Sequence, residues 1–150
     1  MSKPPRIGPA GIFFITTNCW NRRRLFQVDH HAQLLLDTIL KHREHFALHA
    51  YVIMPDHVHI LMTPREIPLE RIMQLIKGGF SHAFAKSSND KSEVWQRGFS
   101  DHRIRDHADF DKHVTYTHDN PIAAHLAATP QEFQWSSARN LVPMDGYRAS

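Results

Sequence analysis

The chain has 150 residues, of which 41% are hydrophobic and 22% charged, so we expect one globular domain over residues 1–150. Its longest apolar runs fall far short of the roughly 18 residues that a membrane-spanning helix needs, and a single cysteine, Cys19, excludes an internal disulfide. A net charge of only +3 excludes a polybasic, histone-like protein, and the absence of a signal-peptide core predicts a cytoplasmic one.

The first half of the chain predicts a strand, a helix and a hairpin. Residues 1–10 are rich in proline and are expected to form an irregular arm. Residues 12–17 are β-branched and aromatic, which predicts a strand, and the apolar spacing of residues 29–46 predicts a helix. Residues 48–54 and 57–62 then form two predicted strands, joined by a tight turn at Pro55 and Asp56.

The second half predicts two further helices and a strand. A helix opens at Pro68, and Gly78-Gly79 is expected to interrupt it where another backbone or a ligand approaches closely. A polar loop at 87–91 precedes a fourth strand within 94–104, and a third helix covers 106–118. Asn120-Pro121 is expected to end or kink that helix, residues 122–128 resume helix-forming composition, and about 141–150 form a flexible tail.

This order of elements indicates a fold class. A β-α-β-β-α-β sequence of elements is typical of the split βαβ arrangement. We therefore predict an α+β fold with a ferredoxin-like or RRM-like antiparallel sheet and extra C-terminal helices.

Two histidines lie in the predicted third strand. Side chains at i and i+2 of a strand share one face, so the imidazoles of His57 and His59 can converge on one cation while Val58 points into the opposite layer. Because the chain holds 13 histidines, about one such pair is expected by chance. The pair indicates either a metal site or two buried histidines with structural hydrogen bonds.

A tyrosine on the predicted third helix is the second candidate. Its hydroxyl has an ordinary pKa of about 10 and becomes a nucleophile only when a base, a metal or dipoles favour the phenolate. Asn120 follows Tyr116 by four residues and so shares its helix face, where an amide oxygen can complete a site begun by the histidines. The alternative is that Tyr116 is a core aromatic residue beside Phe110 and Val114.

Basic and aromatic side chains alternate in two stretches. These residues are Trp20, Arg22, Arg23, Arg24 and Phe26, and Trp95, Arg97, Phe99, Arg103 and Arg105. Guanidinium groups bind phosphates and aromatic faces stack on bases, so the pattern favours a single-strand nucleic-acid surface or else a solvated basic face over core aromatics. Phosphate-loop, Gly-x-Ser-x-Gly and His-Glu-x-x-His patterns are all missing from the sequence, which argues against a nucleotide cofactor, a serine hydrolase or a zincin.

Five motifs in a fixed order carry a resemblance to a known family. They are the segments 51–61 (YVIMPDHVHIL), 72–78 (IMQLIKG), 94–99 (VWQRGF), 116–121 (YTHDNP) and 135–137 (WSS). Together they resemble the IS200-like single-tyrosine (HUH) transposases, and in particular their REP-associated branch, over roughly residues 11–140.

The resemblance implies a reaction and assigns roles to residues. It implies that His57 and His59 hold a divalent metal, Mg²⁺ or Mn²⁺, with Asn120 as third ligand. It also implies that Tyr116 attacks DNA to leave a 5′-phosphotyrosine and a free 3′-hydroxyl. The implied partner is single-stranded or hairpin DNA with REP-like palindromes, bound by a monomer or a homodimer. The expected DNA-binding residues are Arg22, Arg23, Arg24, Lys77, Arg97, Arg103 and Arg105.

Three functions from different classes therefore follow from the sequence. A transposase-like endonuclease that nicks and rejoins DNA is favoured. A non-catalytic single-strand binding module on the same sheet is the second, and a small metal-dependent phosphodiesterase that uses water is the third. A covalent protein–DNA adduct would separate the first function from the other two.

Overall fold

The computed structural model describes residues 11–148, which form four strands and three α-helices. The expected arm at residues 1–10 lies outside this range. In chain order the elements are β1 (Phe13–Asn18), α1 (Asp29–Lys41), β2 (Phe46–Ile53), β3 (His57–Pro64), α2 (Leu69–Ser88), β4 (Ser100–Arg103) and α3 (His107–Ala123), with short 3₁₀ turns between several of them.

The four strands form one sheet in the order β2-β3-β1-β4. Each neighbouring pair is antiparallel. β1 thus lies between β3 and β4, and α1 and α2 are the crossovers that a split βαβ topology requires. The predicted fold class, an α+β ferredoxin-like antiparallel sheet with split βαβ topology, is confirmed. Of the expected extra C-terminal helices, the described residues form one α-helix, α3, followed by 3₁₀ turns.

The two faces of the sheet are covered by different helices, because successive side chains of a strand point to opposite faces. On β1, Phe13 and Ile15 join a large apolar cluster that also contains the buried faces of α1 and α2. Phe14, between them, packs instead with Phe110 and Val114 of α3 in a smaller cluster. The helices α1 and α2 therefore cover one face of the sheet, and α3 covers the other.

The helix α2 is continuous through its two glycines, so the expected interruption does not occur. A Cβ atom added at Gly79 would lie 3.2 Å from Cγ2 of Thr38, which is on α1, so this glycine permits close packing of the two helices. A Cβ atom added at Gly78 would meet no atom within 4 Å. The expectation of a close approach thus holds at Gly79 and fails at Gly78.

The helix α3 continues past Asn120 and ends at Ala123, so the expected end of the helix at Asn120 is wrong. Residues 124–128 do not resume a helix. Proline is most disruptive in a helix interior, where it removes a backbone hydrogen bond and clashes with the preceding turn. Pro121 lies in the last turn and is buried, and the helix closes with a 3.1 Å hydrogen bond from the Ala124 backbone N–H to the Asn120 carbonyl.

Two other boundaries differ from the prediction. The fourth strand is confined to Ser100–Arg103, because Gly98, with φ +77°, turns the chain before it. Ahead of that turn, Trp95 forms an isolated antiparallel bridge with Cys19. The first helix ends at Lys41 because a 3₁₀ turn follows it and Phe46 already pairs with β3.

Residues 141–148, part of the expected flexible tail, contact β2 and α3. The Asp145 carboxylate accepts hydrogen bonds from the Leu48 backbone N–H at 2.9 Å and from Arg43 at 3.2 Å. The Tyr147 ring stacks on His107 with ring centres 4.3 Å apart. Among residues 11–148, no helix is both long and apolar enough to cross a membrane.

Candidate active site

Two histidines of β3 face the layer that α3 covers. Val58 and Ile60, which flank His59, belong to the large cluster under α1 and α2. Alternation along the strand therefore turns His57 and His59 toward α3. Their ring centres lie 4.7 Å apart, so the structure brings the two predicted metal ligands together.

Each of these imidazoles is oriented through its Nδ1 atom. His57 Nδ1 lies 2.7 Å from Oδ1 of Asp56, and His59 Nδ1 lies 2.9 Å from the Thr16 hydroxyl on β1. When Nδ1 carries the proton in both bonds, the Nε2 lone pairs are available to a cation. A carboxylate behind a ligating imidazole is a common outer-shell arrangement, and the sequence analysis had treated Asp56 only as a turn residue.

The protonation states of these groups suit a cation site. Burial, together with the neighbouring His57, lowers the pKa of His59 from 6.5 to about 3, so the His59 ring is neutral at pH 7. Burial acts to raise the pKa of Asp56, but hydrogen bonds from His57 and Arg22 outweigh it and leave that pKa below its ordinary value. A neutral imidazole such as that of His59 is the form that binds a metal, and the ionised Asp56 carboxylate can orient the His57 ring.

Tyr116 lies beside the histidine pair. Its ring centre is 5.6 Å from that of His59 and 5.7 Å from that of Phe14. With 53% of its surface exposed, Tyr116 is not the core aromatic residue of the alternative interpretation. Tyr51, by contrast, is 3% exposed, and burial raises its pKa.

Asn120 borders the same region from α3. A cleft of about 340 Å³ is lined by Asn120 and His57, together with Asp56, Arg22 and Arg24. The helix thus places Asn120 within the neighbourhood of His57, one turn beyond Tyr116.

Arg22 is fixed at the edge of this cleft. Its Nε donates to Oδ2 of Asp56 at 3.0 Å, which links Arg22, Asp56 and His57 in one series of contacts. Asn21 and Arg22 have φ values of 54° and 53°, the left-handed region, which costs L-residues roughly 1–2 kcal/mol each. The structure holds this strained pair where the arginine reaches the cleft.

The three consecutive arginines do not form one surface. Arg24 lines the cleft with Arg22, and its Nε donates to Gln27 at 3.0 Å. Arg23 is directed elsewhere, with its guanidinium donating to Ser92 at 2.7 Å and to Asp90 at 2.8 Å. Arg22 and Arg24 thus line the cleft while Arg23 is held by Asp90 and Ser92, and the role of the three arginines in DNA binding stays a prediction.

A second cleft, of about 230 Å³, lies on the β4 side of the histidines. Thr16, Asn18 and Arg97 are among its lining residues. In the β1–β3 register Thr16 is opposite His59, and Asn18 is opposite His57. Arginines therefore lie on both sides of the histidine pair.

Lys77 supports the loop that carries Arg97. Its Nζ donates to the carbonyl oxygens of Gln96 at 3.1 Å and Gly98 at 2.6 Å, the two residues that flank Arg97. Its own carbonyl accepts a 2.9 Å hydrogen bond from the indole of Trp95. Burial lowers the pKa of Lys77, and its ammonium group is directed at this loop.

The last two predicted DNA-binding arginines lie apart from the clefts. The Arg103 guanidinium is 6.0 Å from the Phe13 ring centre, and Arg105 Nε lies 3.6 Å from Oδ2 of Asp109. Among the aromatic residues proposed to stack on bases, Phe26 is 2% exposed and Trp95 7%, so both belong to the core. The stacking interpretation is wrong for these two residues.

A contact that the sequence analysis missed fixes the middle of α3. His118 Nε2 lies 2.8 Å from the Ser137 hydroxyl, which also accepts a 2.9 Å hydrogen bond from the Tyr51 backbone N–H. Ser136, beside it, forms an antiparallel bridge with Val52. Residues 135–137 thus connect the helix that carries Tyr116 to β2. This motif was the one feature of the sequence that could have indicated the contact.

A second cluster of metal-ligating type lies beyond Phe14 on the same sheet face. It consists of His102 on β4 with Asp109 and His113 on α3. The sequence analysis did not identify it.

Comparisons with known proteins relate the chain to a family and to two characterised relatives. The family model described as "Transposase IS200 like" matches residues 13–120, which contain His57, His59, Tyr116 and Asn120. A REP-associated tyrosine transposase of Escherichia coli K12 is 29% identical over 145 residues, which cover 91% of this chain and 84% of the relative. A solved structure of a REP-associated tyrosine transposase bound to a REP hairpin covers 99% of this chain and 91% of its own, with 28% identity and a TM-score of 0.77. Since the family model spans well over half of the sequence, the chain belongs to the IS200-like transposases.

Proposed function

We propose that this protein nicks and rejoins single-stranded or hairpin DNA of the REP-like palindromic kind, with Tyr116 as the nucleophile. The observation that carries the proposal is the position of the half-exposed Tyr116 side chain, 5.6 Å from His59 between ring centres, on the sheet face that also presents His57. A nucleophile beside a pair of imidazoles that can hold a cation is the arrangement that metal-assisted phosphoryl transfer requires.

The chemical step conserves the energy of the phosphodiester. Oη of Tyr116 forms a bond to the scissile phosphorus and loses its proton, while the bond from phosphorus to the 3′ oxygen breaks and that oxygen takes up a proton. The products are a 5′-phosphotyrosine and a free 3′-hydroxyl. A 3′-hydroxyl can reverse the step, so strand rejoining needs no nucleotide cofactor.

The residues that would hold a divalent cation are His57, His59 and Asn120. The donor set fits a cation, because His59 is neutral at pH 7 and Asp56 supports the His57 ring from behind. When bound, Mg²⁺ or Mn²⁺ supplies charge stabilisation to the transferring phosphate. Two imidazoles and one amide favour Mn²⁺ over Mg²⁺, which prefers oxygen ligands.

Arginines on both sides of the site supply the DNA contacts in this proposal. Arg22 and Arg24 line the cleft that contains His57 and Asn120, and Arg97 lines the cleft that contains Thr16 and Asn18. Guanidinium groups bind phosphates in a bidentate manner, which positions a strand across the histidines. The solved structure of the similar protein holds a REP hairpin, which supports hairpin DNA as the substrate class.

A Tyr116→Phe variant tests the proposal. The phenyl ring keeps the contacts with Phe14 and His59 and removes only an exposed hydroxyl, so folding and hairpin binding should be nearly unchanged. With labelled hairpin DNA and Mn²⁺, the wild type should give a denaturant-resistant protein–DNA adduct and the variant none. Cleavage that persists in Tyr116→Phe would indicate the water-using phosphodiesterase, and hairpin binding without cleavage by the wild type would indicate the binding module.

A further inference from the structure

We propose that His102, Asp109 and His113 form a second metal site, of the kind that takes Zn²⁺, separate from the site of His57 and His59. Two imidazoles and one carboxylate are a donor set that zinc and related transition metals prefer, with a fourth position left for water. The proposal does not depend on the proposed nuclease function.

The three side chains converge from two elements. One ligand atom of each residue lies within 4.8 Å of those of the other two. His102 Nε2 is 2.9 Å from Asp109 Oδ2, and His113 Nδ1 is 3.2 Å from Asp109 Oδ1. In a tetrahedral zinc site with bonds near 2.0–2.1 Å the ligand atoms lie about 3.3 Å apart, so only small movements are needed.

One oxygen of the buried Asp109 carboxylate is an unsatisfied hydrogen-bond acceptor. Its side chain is only 2% exposed, and among residues 11–148 no hydrogen-bond donor reaches its Oδ1 atom. Without a metal, the nearby His113 Nδ1 donates its hydrogen bond to the Asp109 carbonyl oxygen, 2.9 Å away, and it would lose that proton on binding the cation. A buried acceptor without a donor destabilises the folded state, and coordination of a cation by Oδ1 would satisfy it.

The surroundings leave room and charge for a cation. The hydrogen bond from His102 lowers the pKa of Asp109 below its ordinary value, so the carboxylate is ionised at pH 7. The His102 side chain is 43% exposed, which gives solvent access to the fourth position. The competing cation is Arg105, whose Nε lies 3.6 Å from Asp109 Oδ2, but its side chain is 73% exposed and can turn toward solvent.

The site is adjacent to the candidate active site without sharing a ligand with it. The Phe14 ring lies between them, with its centre 5.0 Å from that of His59 and 4.9 Å from that of His113. His113 precedes Tyr116 by three residues on α3, and His102 belongs to β4. A metal here would crosslink β4 to the helix that carries Tyr116.

Calorimetric titration with Zn²⁺ alone tests the proposal on the full chain. A His57→Ala, His59→Ala double variant removes the first site, and it should still bind one equivalent of Zn²⁺. Adding His102→Gln keeps a hydrogen-bond donor for Asp109 but removes a ligand. Since loss of even an outer-shell partner costs about 10- to 100-fold in affinity, this change should weaken binding by at least about 100-fold.

The matched control is His107→Gln in the same double variant. His107 lies on the same helix and pairs with Asp111 at 3.6 Å, but it is not part of the cluster, so its replacement should leave Zn²⁺ affinity unchanged. Thermal unfolding without metal checks that each variant folds, and His113→Gln replaces His102→Gln if the latter does not. The proposal is overturned if the double variant binds no Zn²⁺, or if the His102 and His107 changes have equal effects.

Discussion

Replacing Ser137 by alanine removes the contact that ties α3 to β2. The Ser137 side chain is buried, and its hydroxyl meets the Tyr51 backbone N–H at 2.9 Å and His118 Nε2 at 2.8 Å. Alanine leaves both groups without this partner, in a position where burial already lowers the pKa of His118.

The size of the effect follows from the two groups that lose a partner. Each buried polar group left unsatisfied costs about 1–3 kcal/mol, and partial access of water to His118 reduces the total to roughly 2–4 kcal/mol. For a domain of this length, 1 kcal/mol shifts the midpoint of thermal unfolding by about 2–4 °C. We therefore expect Ser137→Ala to lower the midpoint by roughly 4–16 °C.

Thermal unfolding followed by circular dichroism measures this shift. Ser81→Ala is the matched control, because it makes the same chemical change on α2, where alanine is the better helix former and the effect should stay within about 0.5 kcal/mol. If Ser137→Ala and Ser81→Ala unfold at the same temperature, the Ser137 hydroxyl does not hold α3 and the reasoning fails.

Three further predictions concern charge, metal and pH. Arg22→Ala should reduce the slope of the logarithm of single-strand DNA affinity against that of salt concentration by about 0.7, because Arg22 lines the cleft. Arg23→Ala, whose guanidinium lies against Asp90 and Ser92 and does not line that cleft, should leave the slope unchanged. Calorimetric titration of Mn²⁺ should show weaker binding to His57→Ala than to the wild type, with the fold retained. Burial lowers the pKa of His49 below 6.5, so the folded state binds fewer protons than the unfolded state in mild acid, and His49→Gln should make the loss of stability from pH 7 to pH 5 smaller.

Each of these predictions has an outcome that contradicts it. Equal salt slopes for Arg22→Ala and Arg23→Ala would remove the cleft from the DNA interface. Unchanged Mn²⁺ affinity in His57→Ala would place the cation elsewhere. For His49, the slope of the free energy of unfolding against pH can change by at most about 1.4 kcal/mol per pH unit for one proton, and identical slopes in wild type and variant would show that this residue does not contribute.

Local periodicity was sufficient to predict the elements on which the candidate site is built. A strand repeats every two residues, so His57 and His59 had to share a face once β3 was recognised. A helix repeats every 3.6 residues, so Tyr116 and Asn120 lie one turn apart on α3, although the predicted helix covered only residues 106–118. The meeting of the two elements came from the resemblance, because periodicity does not say which face of the sheet a helix covers.

Burial of individual side chains could not be predicted in the same way. Phe26 and Trp95 alternate with arginines in the sequence, yet both pack with Phe80 in the core. Their burial depends on where α2 lies relative to the turn after β1, which is a long-range contact. Arg22 and Arg23 likewise bind different partners, Asp56 and Asp90. Both partners lie far from the arginines in the sequence, so local patterns do not predict these contacts.

The cluster of His102, Asp109 and His113 shows the same limit. His102 precedes Asp109 by seven residues across the end of a strand and the start of a helix, so no fixed period relates them. Only the packing of α3 against β4 brings their side chains together.

The two faces of the sheet bury different amounts of apolar side chain, and this difference affects which helix opens first. The apolar cluster under α3 contains five buried residues, Ile12, Ala50, Leu61, Ile104 and Phe110, whereas the cluster under α1 and α2 is several times larger. Segments with little apolar burial open at a lower free energy than the rest of a domain. Backbone amides of α3 should therefore exchange with solvent through a partial opening that leaves the sheet and the other two helices folded. We therefore expect the layer that carries the proposed nucleophile to open at a lower free energy than the rest of the domain.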